Sequence, residues 1–197
     1  MNEPPFLGAV RWSVVPIVFA LGGAVGGATD ALFSELVSGR YGEEWEYCAW
    51  IGGGIGLGIG TALALLPRSF WAVPLAAPLG MLGYVLSTGL WQFLHDGRIR
   101  TASLGDLVDD VFALPLAAVA APVLTLAHGL YLRHGKDRPL PSALGYAVFG
   151  ALSGSVFWWG KNLALGLANG AIYGLFQLAA MRAALAIGRR GGRPGPD

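Results

Sequence analysis

The stretch Ile51–Thr61 reads I-G-G-G-I-G-L-G-I-G-T and sits inside an apolar run from Tyr47 to Leu66. At about 1.5 Å per helical residue, such a run reaches about 30 Å, the thickness of a bilayer core. On a helix, Gly52, Gly53, Gly56 and Gly60 fall on one face, and Gly54 and Gly58 fall on another. Two faces without side chains allow two neighbouring helices to approach the same backbone, so the stretch reads as the central span of a membrane helix bundle.

The surrounding chain offers no alternative to a membrane setting. Only 13% of its 197 residues are charged, about half the share that covers a soluble domain. Glycine accounts for 31 positions, more than twice the usual share of about 7%, and follows no collagen period. The formal net charge of +1 supplies no field for a nucleic-acid partner. One cysteine, Cys48, leaves no intramolecular disulfide and no cysteine-based metal centre.

Hydropathy and punctuation divide the chain into six expected spans, at about 13–33, 47–66, 70–94, 107–132, 141–159 and 163–187, forming one integral membrane domain over 1–187. The first has the outline of a signal peptide, with Arg11 before an apolar stretch and small residues at Ala24–Ala28. Its apolar run continues to Phe33, longer than a usual signal core, so it is expected to be retained. Residues 188–197 read as a disordered basic tail. With the N-terminus inside, nine cations fall on the cytoplasmic side: Arg11, Arg68, Arg133, Lys136, Arg138, Arg182, Arg189, Arg190 and Arg193. Four remain outside: Arg40, Arg98, Arg100 and Lys161. This bias follows the positive-inside rule and puts both termini in the cytoplasm, in the simplest case of a bacterial inner membrane. All seven tryptophans fall near span ends, where an aromatic belt belongs.

The expected fold is therefore all-α, a polytopic bundle of six transmembrane helices with glycine-zipper packing. The packing positions are Gly22 and Gly26 in the first span, Gly52, Gly54, Gly56, Gly58 and Gly60 in the second, and Gly166, Gly170 and Gly174 in the sixth. A-L-G-G-A-V-G at Ala20–Gly26 is echoed by A-L-G-L-A-N-G at Ala164–Gly170 in a span of opposite direction. That echo suggests an inverted three-plus-three pseudo-repeat, although any two glycine-rich spans share such a pattern.

Soluble-enzyme motifs fail position by position. No register of the glycine run satisfies G-x-G-x-x-G, and neither Gly135-Lys136 nor Gly160-Lys161 has phosphate-loop spacing. Ala151–Gly154 is similar to the serine motif of rhomboid intramembrane proteases, but those take their base from a later helix. Here His95, His128 and His134 all precede Ser153. His95 and His128 belong to opposite membrane faces and cannot share a haem iron, and His128 reads as an interfacial residue. No cofactor or metal is expected.

Acids and amides at membrane depth are the remaining lead, because such groups face a partner or water. Asp30 lies in the outer part of the first span with Glu35 after it. Asp106, Asp109 and Asp110 share a face at the start of the fourth span, either as helix caps after Ser103 or as part of an acidic vestibule. Asn169, Tyr173 and Gln177 recur at i, i+4 and i+8 along the sixth span, as a solute path or as polar glue between helices. Pro74 and Pro78, and Pro115 and Pro122, free backbone carbonyls in the third and fourth spans. The expected function is a small channel or transporter for an ion or compact polar solute, acting as a homo-oligomer. The alternative is a non-catalytic subunit that needs only its small-residue faces to join other membrane subunits. The expected partner common to both is the lipid bilayer.

Overall fold

The computed structural model describes residues 12–38, 44–66, 69–97, 113–135, 137–157 and 162–191. All six segments are helical. We label them α1 (Val15–Ser38), α2 (Glu44–Leu65), α3 (Ser69–Asp96), α4 (Ala113–Leu130), α5 (Pro139–Phe157) and α6 (Leu163–Gly191). A π-helical turn, Tyr131–Gly135, continues α4. Four segments are long and apolar enough to cross a membrane: Val15–Val37, Trp45–Leu65, Phe70–Trp91 and Leu163–Gly188. The chain is thus an all-helical protein of membrane type.

Each helix packs on its neighbour in the chain, and α6 returns to pack on α1, closing a ring. Helix α4 also reaches across the ring to α2 and α6. It touches α1 through the rings of His128 and Phe19, whose centroids lie 4.5 Å apart, edge to face. The middle of the ring is therefore occupied by side chains of α4.

Backbone-to-backbone contact sets the spacing of this ring. On α2, Gly52, Gly56 and Gly60 meet α1, whereas Gly54 and Gly58 meet α3. A Cβ added to Gly52 would run into the Gly23 carbonyl, and one added to Gly54 into the Gly83 carbonyl. At Gly60 it would stand 2.6 Å from the Cα of Pro16. The α5/α6 crossing is built in the same way, Gly150 and Gly154 against Gly166, Gly170 and Gly174. Gly80 on α3 seats Ala117 and Ala121 of α4. Lipid offers no hydrophobic drive toward such contacts, so close van der Waals approach and interhelical hydrogen bonds must hold the helices together.

The interior holds glycine and alanine, aliphatic side chains such as Ile55, Ile59, Leu63 and Leu124, and large rings such as Phe19, Tyr84 and Tyr146, together with His128, Thr125, Asn169 and Gln177. Other large aliphatic residues point outward, including Leu21, Leu82, Leu144 and Leu175.

Helix ends differ from the sequence expectation at three places, and the prolines do not interrupt their helices. Helix α1 runs to Ser38, so Ser34 and Glu35 belong to the helix and Glu35 is buried, not in an outer loop. Helix α2 begins at Glu44, so Trp45 and Glu46 lie within its first turn. Pro74, Pro78 and Pro122 lie inside uninterrupted helices. Helix α6 continues to Gly191, and residues 192–197 lie outside the described residues.

The packing predicts a sharp division among glycine substitutions. Gly52→Ala and Gly170→Ala should each lower stability by about 1–3 kcal/mol or prevent folding, because backbone must move to admit the methyl. Gly89→Ala and Gly145→Ala, where an added Cβ meets nothing within 4 Å, should stay within about 1 kcal/mol of wild type. Thermal unfolding in detergent followed by tryptophan fluorescence separates the two classes.

Candidate functional site

The polar residues of α1 and α6 come together along the seam between these helices. Gly26, Asp30 and Ser34 recur every fourth residue on α1 and so share one face. Asn169, Tyr173 and Gln177 do the same on α6. The two helices run in opposite directions: Gly22 meets Phe176 and Ala180, and Gly26 meets Tyr173 and Phe176. Further along, the Asn169 amide donates a 2.7 Å hydrogen bond to Ser34 Oγ. Asp30, between Gly26 and Ser34, thus falls at the level of Asn169 and Tyr173, within electrostatic reach of the Tyr173 hydroxyl.

Helix α2 closes the seam. The Tyr173 hydroxyl donates to the Gly52 carbonyl at 3.1 Å. That carbonyl is reachable because Gly52 has no side chain and lies against Gly23 and Gly27 of α1. The same close approach that holds α1 on α2 therefore presents a backbone acceptor to α6. Within the seam several polar atoms have no hydrogen-bond partner among the described residues: Asp30 Oδ1, Asn169 Oδ1, and both amide atoms of Gln177. Gln177 is fully buried, and its amide approaches the Tyr173 hydroxyl without completing a bond of normal geometry. Each unpartnered group carries a desolvation cost of roughly 1–3 kcal/mol.

The structure therefore assembles Asp30, Asn169, Tyr173 and Gln177. Glu35 is buried on α1 but continues the Gly27–Ala31 stripe toward α2, a quarter-turn away from Asp30 and Ser34. Asp106, Asp109 and Asp110 lie outside the described residues. Among the described residues no group of three His, Cys, Asp or Glu side chains converges as a metal-ligand set.

Sequence reasoning missed two participants. Ser34 lies just past the expected end of the first span at residue 33, although its spacing of four from Asp30 places it on the same face once the helix is extended. His128 is not interfacial. It is fully buried, its Nδ1 shares a hydrogen bond with the Tyr146 hydroxyl, and its Nε2 has no partner among the described residues. Burial here is set by α1, whose Phe19 covers the imidazole, and a lone histidine carries no sequence signal for such a contact.

The chain matches no protein-family model, and no characterised protein or solved structure is significantly similar to it.

Two kinds of substitution distinguish polar glue from polar path. Asn169→Ala and Tyr173→Phe remove interhelical hydrogen bonds and should each cost about 0.6–2 kcal/mol in thermal unfolding. Gln177→Met removes two unpartnered buried atoms at similar volume, so it should leave stability unchanged or raise it by up to about 2 kcal/mol.

Proposed function

We propose that this protein is a small multi-pass membrane transporter or channel for an ion or compact polar solute, and that the α1/α2/α6 seam is its path. The observation carrying this reading is the file of buried polar atoms without partners among the described residues, Asp30 Oδ1, Asn169 Oδ1 and both amide atoms of Gln177, along one interhelical seam. A carboxyl or amide at membrane depth is costly unless it faces a ligand, water or another polar group. A bundle needing only polar glue would pair these atoms with one another, whereas they stand unpaired among the described residues beside two interhelical bonds, from Asn169 Nδ2 and from the Tyr173 hydroxyl.

In this reading all six helices span the bilayer. Helices α4 and α5, of 18 and 19 residues, reach about 27 and 28 Å at 1.5 Å per residue. Helix α5 also presents an outward stripe, Leu140, Leu144, Val148 and Leu152, suited to lipid. The glycine contacts act as a zipper that holds the seam rigid. The first and last hairpins are clamped alike, by Gly23 and Gly27 on Gly52 and Gly56, and by Gly150 and Gly154 on Gly170 and Gly174. This likeness supports an inverted three-plus-three pseudo-repeat. Arg133, Arg138 and Arg182 cluster at one end of the bundle, which by the positive-inside rule faces the cytoplasm together with both termini.

Reconstitution into liposomes tests the proposal directly. Flux of protons, sodium, potassium, chloride or a small neutral solute should exceed that of empty vesicles. Asp30→Asn should lower the rate by about tenfold or more, equivalent to about 1.4 kcal/mol in the barrier. If no flux of any of these is seen and other membrane proteins co-purify stoichiometrically in mild detergent, the chain is instead a non-catalytic subunit of a larger assembly.

A further inference from the structure

The file of polar groups on α6 continues beyond the seam. Gln177 lies between two faces of α6: Gly170 and Gly174 meet α5, while Tyr173, Phe176 and Ala180 meet α1. A side chain between these faces points into the middle of the ring, where α4 packs on α6. His128 of α4 is buried toward the same middle of the ring, in contact with Phe19 of α1 and Tyr146 of α5. Gln177 and His128 are both fully buried, and both retain side-chain atoms without partners among the described residues. One turn before His128, Thr125 Oγ1 is in the same condition.

On its far side His128 leads outward. Tyr146, which holds His128 Nδ1, borders a cavity of about 230 Å³ between the π-helical turn and α5. Tyr131, His134, Arg138 and Ser142 also line it, and it opens at the basic end of the bundle. The π-turn helps to shape this cavity: its last residue, Gly135, offers a carbonyl to Ser142 Oγ at 2.8 Å. Such local departures from α-helical winding concentrate at functional sites. The other groups acting on Tyr146 are Tyr131, ring to ring at 6.1 Å, and Arg182 of α6 through its charge.

We propose that the ion carried through the α1/α6 seam is the proton, and that the His128–Tyr146 pair links the seam to this open cavity. The inference rests on the transport reading above. An imidazole can take a proton at one ring nitrogen and release one from the other, and a phenol hydroxyl both donates and accepts. A proton received at His128 Nε2 is balanced by release of the Nδ1 proton to the Tyr146 oxygen. The hydroxyl proton of Tyr146 then leaves toward the cavity. A turn of the imidazole that brings the protonated Nε2 to the Tyr146 oxygen and the bare Nδ1 toward the seam, with rotation of the hydroxyl, readies the pair for the next proton, the two ring nitrogens having exchanged roles. An alkali cation cannot follow the same route, because the imidazole is closed in by the Phe19 and Tyr146 rings.

Proteoliposomes enclosing a pH-sensitive dye test this, with a potassium gradient and an ionophore setting the driving potential and sodium and neutral-solute uptake measured in parallel. Wild type should carry protons, more slowly in heavy water. Tyr146→Phe keeps the ring packing and removes only the hydroxyl, and His128→Gln removes the imidazole. Each should lower proton flux by about a hundredfold, the low end of what a positioned proton-transfer group contributes. Proton flux unchanged in Tyr146→Phe would overturn the link, and that variant decides should His128→Gln fail to fold. Wild type carrying sodium or neutral solutes but no protons would overturn this inference and leave the transport reading standing. No flux of any kind would overturn both.

Discussion

Close contact between glycine backbones determines how the rest of this bundle is arranged. At the α1/α2 and α5/α6 crossings, carbonyls and Cα atoms of one helix occupy the space where a Cβ of the other would stand. Helices that approach so closely gain dispersion contacts along their length, which lipid cannot supply as well. They also lose freedom to rotate or slide, since a shift of one residue would bring a side chain against backbone. Gly54 and Gly58 repeat the arrangement toward α3, so α2 is fixed from two sides and fixes α1 and α3 in turn.

That rigidity explains why the polar groups can exist where they do. Tyr173 finds the Gly52 carbonyl because two bare backbones meet there, leaving room for a phenol from a third helix. Asn169 reaches Ser34 because the α1/α6 register is set by Gly22 and Gly26 against Phe176, Ala180 and Tyr173. The Tyr47–Tyr84 hydroxyl pair at 2.9 Å links α2 to α3 near the other end of α2 from the Gly60–Pro16 contact. At the basic end, Arg133 lies 4.6 Å over the Phe70 ring and ties the π-turn to the start of α3.

Periodic features were the legible ones. The two glycine faces of α2 and the i, i+4, i+8 amide–phenol file of α6 follow from helical spacing alone, and both occur in the structure at those positions. Helix ends were harder, because the polar residues Ser34 and Glu35 look like loop although tertiary contacts keep them helical and bury Glu35. His128 was read in the wrong environment for a related reason. It stands one turn from the basic residues Arg133 and His134, so local sequence suggests a membrane interface. Its real surroundings come from Phe19, over a hundred positions earlier, and from Tyr146 on the next helix. A non-local contact of that kind leaves no periodic mark.

The unpartnered atoms also bear on how such a bundle balances stability against use. A fold held by close approach rather than by a hydrophobic drive can tolerate only a few buried groups that return nothing to its stability. Among the described residues, all of those groups but Thr88 Oγ1 of α3 fall on α1, α4 and α6. Asp30 and Asn169 share the α1/α6 seam, Gln177 stands one turn beyond Tyr173, and His128 lies across the ring from it beside Thr125. Chance retention of unpaired polar atoms would distribute them over the interior, including the α2/α3 and α5/α6 crossings. At those crossings the glycine-to-glycine contacts are tightest, and they instead bring bare backbone against bare backbone. In the proposed transporter, this segregation of polar from bare surfaces would separate holding the bundle together from passing a solute through it. Helix α6 carries both kinds of surface, with Gly170 and Gly174 on one face and Tyr173 and Gln177 on the next.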